Sequence, residues 1–384
     1  MQPDTHLIYF DNASTTPVHP QITKLVSSLL ATTYANSESL YDQGMQVSRL
    51  MERSRAQIAA LLKVQPQEVI FTSGASEANN MAIKGAAFAA LGRKNHLITS
   101  RVEHSSVMNA MRQLQEVFGF EVTYLDVDSR GVVDLRQLEE ALSERTALVS
   151  IMAVNNEVGS VMPMRQIRQL VRSRSHALLH FDCVQALTRI DLDLSLADMA
   201  SFSAHKIEGL KGSGLLIKKQ HVSLVPLISG GQQEQGLRGG TANSVADIAL
   251  AKTLRLALES ESQTRQHTAM LNRRMRQSLA ALKEIDINSP EEGVGAILNF
   301  SCRTMTSEVL MNALNQRGIC VSAQSTCSSR SKAPSAVLKA MGMSDQRALS
   351  SIRCSFSLQN TEEEVDRFVR ELKEILVKYG THSL

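Results

Sequence analysis

Apolar and polar positions alternate along the first two thirds of the chain in the pattern typical of a parallel α/β sheet. Short apolar runs predict strands at residues 68–71, 96–100, 122–125, 147–152, 177–181 and 199–202. Apolar residues at helical spacing predict helices near residues 21–30, 43–62, 81–91, 105–117, 134–142 and 164–173, and one long helical stretch after residue 243 to about 282. Strands that alternate with helices form parallel sheets, because a parallel connection needs a crossover.

The pattern changes past about residue 260. Strands are predicted at residues 297–300, 318–321 and 351–354, with helices at 307–315, 334–340 and 361–379. Thr361 and Glu364 form a predicted capping box at the start of the last helix. A chain of 384 residues is too long for one small core. We therefore predict an α/β fold with a large domain over residues 15–260, and a smaller α+β domain over 261–384 together with residues 1–14.

Composition narrows the class of protein. Hydrophobic residues make up 43% and charged residues 21% of the chain, and the net charge of +3 gives no argument for nucleic acid or an anionic membrane. No apolar run approaches the roughly 18 residues of a membrane span, and the N-terminus lacks a signal pattern. We therefore expect a cytoplasmic protein. Five scattered cysteines without a C-x-x-C pair predict neither a disulfide framework nor a metal site.

Four predicted strands end in polar tips, which are Glu103-His104, residues 155–157, residues 182–185 and residues 203–206. Ligands of open α/β sheets bind outside the carboxyl ends of the strands. Any one polar tip is compatible with helix capping, but four in succession indicate one site assembled from separate loops.

The last of these tips carries Ser203, His205 and Lys206, followed by a glycine-rich turn. A lysine held between strands suits a Schiff base to an aldehyde cofactor, since burial lowers its pKa. Taken alone, the same residues also fit a surface lysine in a hairpin. Pyridoxal phosphate (PLP) needs an imine lysine, a carboxylate facing the pyridine nitrogen and a phosphate cup.

Other positions can meet the remaining demands of PLP. Asp182 can face the ring nitrogen, and Ala75 and Ser76 can form the phosphate cup together with Ser203 and His205. His104 is placed to stack on the ring, although taken by itself an ordinary loop histidine is the favoured interpretation.

A set of motifs then appears in one order: Asp11-Asn-Ala-Ser-Thr-Thr-Pro17, Thr72-Ser-Gly-Ala-Ser-Glu77, Glu103-His104, Val154-Asn-Asn-Glu-Val-Gly159, His180-Phe-Asp-Cys-Val-Gln185, Ser201-Phe-Ser-Ala-His-Lys206, Gly236-Leu-Arg-Gly-Gly-Thr241 and Ser350-Ser-Ile-Arg353. By these motifs the chain resembles the NifS/IscS cysteine desulfurases, within the class V aminotransferases of PLP fold type I. The match covers nearly the whole chain.

The resemblance implies a role for each matching residue. Lys206 would hold PLP, Asp182 would face the pyridine nitrogen and Gln185 the phenolic oxygen. His104 would stack on the ring with Asn155 beside it. The remaining assignments are Ala75, Ser76, Ser203 and His205 for the phosphate, Thr241 for the phosphate of the other subunit in a homodimer, Arg353 and Asn36 for the substrate carboxylate, and Cys327 for sulfur acceptance.

The implied reaction converts L-cysteine to L-alanine, with sulfur passing to Cys327 as a persulfide and on to an acceptor protein. Lys206 would move the Cα proton, and His104 would handle the thiol proton. Two alternatives remain open. One is an aminotransferase or other Cβ–X lyase with the same PLP machinery, and the other is a non-catalytic paralogue that serves as an interaction scaffold.

Several positions depart from the family pattern. Ala323-Gln324 stands where a glycine usually precedes Ser-x-Cys, Gln235 stands where arginine is common, and Glu208 and Leu210 replace the usual Tyr and Pro. The missing glycine should stiffen the Cys327 loop. The sequence also ends at Leu384, where the housekeeping enzyme carries a docking extension. We therefore expect a specialised desulfurase, such as one serving DNA phosphorothioation or a thiolation pathway, rather than housekeeping iron–sulfur assembly.

Overall fold

The computed structural model of the protein describes residues 7–323 and 333–379. Cys327, the predicted sulfur acceptor, lies outside these described residues.

The described chain alternates strands and helices as the sequence predicts. The strands are β1 Ile8–Tyr9, β2 Val69–Thr72, β3 His96–Ser100, β4 Glu121–Leu125, β5 Thr146–Met152, β6 Leu178–Asp182, β7 Met199–Ser203, β8 Gly214–Lys218, β9 Ile285–Ile287, β10 Ile297–Cys302, β11 Ile319–Cys320 and β12 Ser351–Ser355. The helices are α1 Pro20–Thr32, α2 Asp42–Leu62, α3 Ala75–Ala90, α4 Ser105–Phe118, α5 Leu135–Ala141, α6 Met164–Arg174, α7 Ser244–Glu259, α8 Glu261–Ala280, α9 Ser307–Asn315, α10 Ala336–Ala340, α11 Asp345–Leu349 and α12 Glu362–Tyr379.

The main sheet has seven strands in the order β2-β8-β7-β6-β5-β3-β4. Its strands are parallel except β8, which runs antiparallel to both of its neighbours. Every residue of the central strand β5 is buried, as expected for a strand covered on both faces by helices. The predicted α/β class with a mixed, mostly parallel sheet is confirmed, and the carboxyl ends of β5, β6 and β7 meet at one edge.

Two small sheets lie outside the main one, with orders β12-β10-β9 and β1-β11. A separate buried cluster joins Ile8 and Phe10 to apolar side chains from the region of residues 271–376. Phe10 packs edge-on against Phe356 and Phe368, with ring centroids 5.3 and 5.9 Å apart. The chain's first strand therefore packs with its C-terminal part. The exact domain boundary remains a prediction.

One predicted helix is wrong in extent. The long helix expected from residue 243 to 282 is two helices, α7 and α8, which meet at Ser260. The Ser260 hydroxyl donates to the carbonyl oxygens of Leu256 and Ala257 at 3.1 and 3.2 Å. Such hydrogen bonds from a serine to the preceding turn compete with helix continuation. The pattern of apolar positions carries no sign of this break.

Two short elements, β9 and α11, were not predicted from the sequence. The capping box of the last helix is confirmed. Thr361 N donates to Glu364 Oε2 at 3.2 Å, and Glu364 N donates to Thr361 Oγ1 at 3.3 Å. No helix within residues 7–323 and 333–379 is long and apolar enough to cross a bilayer.

Candidate active site

A cavity of about 610 Å³ opens at the carboxyl ends of the central strands. This volume suits a small-molecule cofactor with its substrate. The predicted site residues that line the cavity are Ala75, Ser76, His104, Asp182, Gln185, Ser203, His205, Lys206 and Arg353. The structure thus brings together residues from five separate parts of the chain.

Lys206 ends the short 3₁₀ turn Ala204–Lys206 that follows β7. Its Nζ donates to the carbonyl oxygens of Ala13 and Ser14 at 2.7 and 2.8 Å. Burial, reinforced by the positive charges of Arg353 and Arg189, lowers the pKa of Lys206 to about 7. Much of this amine is therefore neutral near pH 7, the form that attacks an aldehyde and accepts a proton.

Asp182 is the last residue of β6 and is only 5% exposed. Its Oδ1 accepts from the backbone N–H of Val184 at 3.0 Å, and its Oδ2 accepts from Asn79 Nδ2 at 2.8 Å. Two donors hold the carboxylate in one orientation at the cavity wall. Such a fixed carboxylate suits a protonated pyridine nitrogen.

His104 is the N-cap residue of α4, and its Nδ1 accepts from the backbone N–H of Ser106 at 3.2 Å. Burial lowers its pKa; the nearby charge of Asp182 raises it and that of Lys206 lowers it. The preceding residue, Glu103, is buried and anchors the loop by accepting from Met152 N at 3.0 Å. A neutral imidazole on a fixed loop can accept or donate a proton near pH 7.

The predicted phosphate turn lies where α3 begins. Gly74, its N-cap residue, has φ 145°, and a Cβ added at Gly214 would lie 2.6 Å from Gly74 Cα. Glycine is therefore required where β8 passes behind the turn. His205 lies near Thr15, with its Nδ1 3.2 Å from Thr15 Oγ1, and burial lowers its pKa to about 4. The helix N-terminus with adjacent hydroxyls and a neutral imidazole forms a cradle for an anion.

Arg353 is 1% exposed but still borders the cavity. Its Nη2 donates to Asp11 Oδ1 at 3.0 Å and to Ser14 Oγ at 2.6 Å, while its Nη1 donates to the carbonyl oxygen of Asn156 at 2.8 Å. Its Nε has no partner among the residues that the structure describes. A guanidinium fixed in this way can bind a substrate carboxylate.

Gln185 is held between two contacts. Its Nε2 donates to the carbonyl oxygen of Ala13 at 2.9 Å, and its Oε1 accepts from Arg189. The side chain lines the cavity on the same side as Lys206, which also donates to Ala13. Arg189 orients Gln185 and was not identified from the sequence.

Three predicted site residues do not line this cavity in the single chain. Asn155 is fully buried: its Nδ2 donates to the Val102 carbonyl oxygen at 3.1 Å, and its Oδ1 accepts from the N–H groups of Glu157 and Val158. The other two, Asn36 and Thr241, are exposed. Asn36 Oδ1 accepts from Glu38 N at 3.0 Å. The roles of these three residues remain predictions.

Besides Arg189, two more residues of the site were missed. Asn79 and Ser106 link Asp182 to His104 by hydrogen bonds. Asn79 follows Ala75 and Ser76 by about one helical turn, which places all three near one end of α3. That spacing was the available signal, but asparagine in a helix has no specific chemistry by itself.

The four cysteines within the described residues are unsuited to act as nucleophiles. Cys183, Cys302 and Cys354 are buried, and burial raises the thiol pKa of Cys183 and Cys354. Burial also raises the pKa of the partly exposed Cys320. Since the thiolate is the reactive form, these environments disfavour reaction.

Residues 8–368 match the family described as "Aminotransferase class-V". The chain belongs to this family. It is 40% identical over 374 residues to the "NifS/IcsS protein homolog" of Lactobacillus delbrueckii subsp. bulgaricus, covering 96% of this chain and 97% of the relative. It is also 40% identical over 367 residues to "Cysteine desulfurase IscS" of Pectobacterium atrosepticum, covering 94% and 90%. A solved "NIFS-LIKE PROTEIN" superposes with a TM-score of 0.92 at 37% identity, covering 97% of this chain and all of the other.

These matches confirm the predicted resemblance to the NifS/IscS group and the PLP fold type I. Members of this family depend on PLP, so this class-V enzyme is PLP-dependent and groups with the cysteine desulfurases. The cavity fits that cofactor on its own geometry, because an amine, a fixed carboxylate and an anion cradle all border one space of about 610 Å³.

Proposed function

We propose that this class-V enzyme converts L-cysteine to L-alanine and passes the sulfur through Cys327 to an acceptor protein. The observation that carries the proposal is the convergence of Lys206, Asp182, His104 and Arg353 on one cavity. The first three serve a PLP reaction at Cα, and Arg353 supplies the cation that an amino-acid carboxylate needs.

Bound PLP supplies an electron sink for the Cα–H bond of the substrate. Lys206 would hold it by a Schiff base, with Asp182 at its ring nitrogen and Gln185 at its phenolic oxygen. His104 would lie on the ring face. Its phosphate would be bound by the residues of the cradle, which are Ala75, Ser76, Ser203 and His205.

Each side chain of this site then has a defined task. Arg353 binds the substrate carboxylate and fixes the orientation of Cα. The neutral amine of Lys206 accepts the Cα proton, for which a pKa of about 7 is well suited. His104 would handle the proton of the substrate thiol through the ring nitrogen that Ser106 does not hold.

Sulfur transfer completes the reaction. The Cys327 thiolate attacks the substrate sulfur, so that an S–S bond forms while the C–S bond breaks. The electron pair of the broken bond stays on carbon, and protonation there gives L-alanine. The overall change is L-cysteine plus enzyme thiol to L-alanine plus enzyme persulfide, with no further reactant.

Product analysis tests this proposal against an aminotransferase or Cβ–X lyase. Purified protein given L-cysteine and a reductant should form alanine and sulfide in equal amounts. Cys327→Ser should still bind PLP and the substrate but release almost no sulfide, because a serine hydroxyl is far less ionised than a thiol at neutral pH. Cys320→Ser is the matched control and should retain turnover. Pyruvate formation, or amino transfer to a keto acid, would refute sulfur transfer.

The visible absorption of PLP tests the remaining alternative, a scaffold without catalysis. Wild-type protein should be yellow, and Lys206→Ala should lose the absorption band of the lysine-bound cofactor. A colourless wild type that takes up no added PLP would favour the scaffold.

We further propose that the acceptor belongs to a specialised sulfur-modification pathway. Support comes from the departures from the family pattern at Glu208, Leu210, Gln235 and Ala323-Gln324. At Glu208 a carboxylate stands where the family usually has tyrosine. This residue lies two positions after Lys206 with φ 63°, and its Oε1 accepts from Gln359 Nε2 at 3.3 Å.

Transfer of ³⁵S from labelled cysteine to proteins of the source cell tests this proposal, with Cys327→Ser as control. The label should appear on an acceptor protein of a specialised sulfur-modification pathway. Labelling of iron–sulfur scaffold proteins alone would contradict this.

A further inference from the structure

We infer that Asn79 is a positioning residue that fixes both the carboxylate of Asp182 and the tautomer of His104 through one side-chain amide. The inference rests on the proposed function, in which Asp182 and His104 serve the cofactor from two sides. Asn79 is fully buried in α3 and does not itself line the cavity, so it acts through these two residues.

The hydrogen bonds form one continuous chain. Asn79 Nδ2 donates one proton to Asp182 Oδ2 at 2.8 Å and the other to Ser106 Oγ at 2.9 Å. Ser106 Oγ lies 2.8 Å from His104 Nδ1, and the Ser106 backbone N–H donates to the same nitrogen at 3.2 Å.

The directions of these bonds follow from the chemistry of the groups. The Asp182 carboxylate can only accept, so the amide must present its Nδ2 to Asp182 and to Ser106. Ser106 Oγ accepts from Asn79, which leaves its single proton for His104. His104 Nδ1 therefore receives two donors and carries no proton. The proton of the neutral imidazole is placed on Nε2.

A buried unpaired oxygen supports this orientation. Asn79 Oδ1 has no partner within the described part of the chain, although buried polar atoms are normally paired. Rotating the amide by 180° would turn that oxygen toward Asp182 and set two acceptors against each other. The unpaired oxygen is thus tolerated because both N–H groups are committed to Asp182 and Ser106.

These hydrogen bonds from Asn79 through Ser106 also affect the protonation of His104. An imidazolium needs a proton on Nδ1, which would oppose both Ser106 donors. The charged groups that face His104 are Asp182, which favours the imidazolium, and Lys206, which disfavours it. The Asn79–Ser106 pair adds to the effect of Lys206 and keeps His104 neutral beside a carboxylate. With Nδ1 held by two donors and Nε2 protonated, the neutral ring presents an N–H donor that can hydrogen-bond the substrate sulfur as its thiolate forms.

Imidazole ¹⁵N NMR of histidine-labelled protein, with and without PLP, tests the inference directly. His104→Gln identifies the His104 signals. In the wild type, His104 Nδ1 should be unprotonated and Nε2 protonated at neutral pH. The same tautomer should persist at pH values below the usual histidine pKa. Ser106→Ala should shift the His104 titration upward, because one donor to Nδ1 is gone. Asn79→Ala should give mixed tautomers and change the pH dependence of the visible absorption of bound PLP.

Asn272→Ala is the matched control. Asn272 is also a buried helical asparagine whose Nδ2 donates twice, to the carbonyl oxygens of Gly295 and Ile297 at 3.1 and 3.0 Å. Its loss should lower thermal stability without moving the His104 signals or the PLP absorption. A protonated Nδ1 in the wild type, or an Asn79→Ala protein with unchanged His104 signals, would overturn the inference.

The outcome is separable from the proposed function. The tautomer of His104 is read without turnover, so the predicted NMR pattern combined with no alanine formation would refute only the desulfurase proposal. Alanine formation by an Asn79→Ala protein with wild-type His104 signals and pH–rate profile would refute only the positioning role.

Discussion

Burial lowers the pKa of two basic residues, His180 and Lys206, but the two side chains serve different purposes. His180 is fully buried between Ser150 and Ser201, with 2.8 Å contacts on both ring nitrogens, and burial lowers its pKa to about 3. It is 0% exposed and links β6 to the strands on either side, so it serves the packing of the sheet. Lys206 is also buried but borders the cavity, so its lowered pKa becomes useful chemistry.

The lowered pKa of Lys206 predicts a pH-dependent stability of the PLP-free protein. Its folded-state pKa of about 7 lies below the ~10.4 of an unfolded lysine, so the unfolded chain binds more protons between these values. The free energy of unfolding of the wild type relative to Lys206→Met should therefore rise from pH 7 to pH 10 and be flat below pH 7. Urea unfolding at several pH values measures this difference, and the exposed Lys24→Met serves as control. A difference that does not change with pH would contradict the shifted pKa.

At the scale of elements, a buried ion pair completes the edge of the main sheet. Among the described strands, β2 pairs with β8 alone, so one side of its backbone has no strand beside it there. Glu234 Oε2 accepts from Phe71 N and from Arg55 Nη1, both at 2.8 Å, and Glu234 Oε1 accepts from Arg55 Nη2 at 2.7 Å. Glu234 and Gln235 adopt φ 46° and 60° to make this contact. The loop before α7 is thus held against the strand that leads into the phosphate turn.

Glu234→Ala should destabilise the protein by about 3 kcal/mol, because it leaves the buried Arg55 with only the exposed Glu52 as counter-charge and removes the acceptor of Phe71 N. The side chains of the pair are only 10% and 7% exposed. Glu259→Ala is the control, since its pair with Arg255 is exposed on a helix and should contribute roughly 0–1 kcal/mol. Urea unfolding of both variants checks the contrast, which equal losses would contradict.

The contact between β8 and the phosphate turn gives a second prediction at this scale. In Gly214→Ala the new Cβ would lie 2.6 Å from both Gly74 Cα and Phe202 O, which are backbone atoms and cannot easily move aside. We expect a loss of about 1–3 kcal/mol from overpacking and weaker PLP binding. At Gly92, which has φ +76°, no atom of the described residues lies within 4 Å of an added Cβ, so Gly92→Ala should cost only about 1–2 kcal/mol of backbone strain. PLP titration followed by absorbance should show weaker binding only for Gly214→Ala.

At the scale of the whole molecule, the connection between α1 and α2 exposes several large apolar side chains. Leu40 is 90% and Tyr34 81% exposed, with Leu30 and Tyr41 close to them in sequence. Clustered exposed apolar residues mark interaction sites. We propose that this segment belongs to the homodimer interface, through which Thr241 would reach the partner's cavity.

Leu40→Asp should therefore shift the protein toward monomers and reduce its PLP content. Val377→Asp is the control, because Val377 is 79% exposed on α12, far along the chain from this segment. Light scattering after size exclusion, combined with absorbance of the bound cofactor, measures both effects. If Leu40→Asp remains as dimeric as the control, the interface lies elsewhere.

The division into domains is a proposal at the same scale. We propose a large domain of residues 15–260 and a small one of residues 261–384 with 1–14. The break between α7 and α8 at Ser260 supports the boundary, as does the separate cluster that joins Phe10 to Phe368. Val294 and Ile297 pack into the main core instead, so the two parts share an apolar contact.

The sequence by itself determined the elements of the sheet and most of the site. Apolar runs predicted β3 to β7 to within about one residue at each end. For β3, β5, β6 and β7 the reason is that a strand buried on both faces leaves a continuous apolar run, whereas β4 is a partly exposed edge strand. The polar tips at His104, Asp182 and Lys206 predicted a shared cavity, since parallel strands end at one edge of the sheet. These features depend on local composition and on a general rule of topology.

Tertiary structure decided the contacts between residues that are distant in the chain. Asn79 meets Asp182 across 103 positions, and Arg55 meets Glu234 across 179. No periodicity encodes such pairs, because hydrophobic patterns report only which face of an element is buried. The break at Ser260 and the internal bonding of Asn155 were hidden for the same reason, since each depends on where one polar side chain finds its partner in the folded chain.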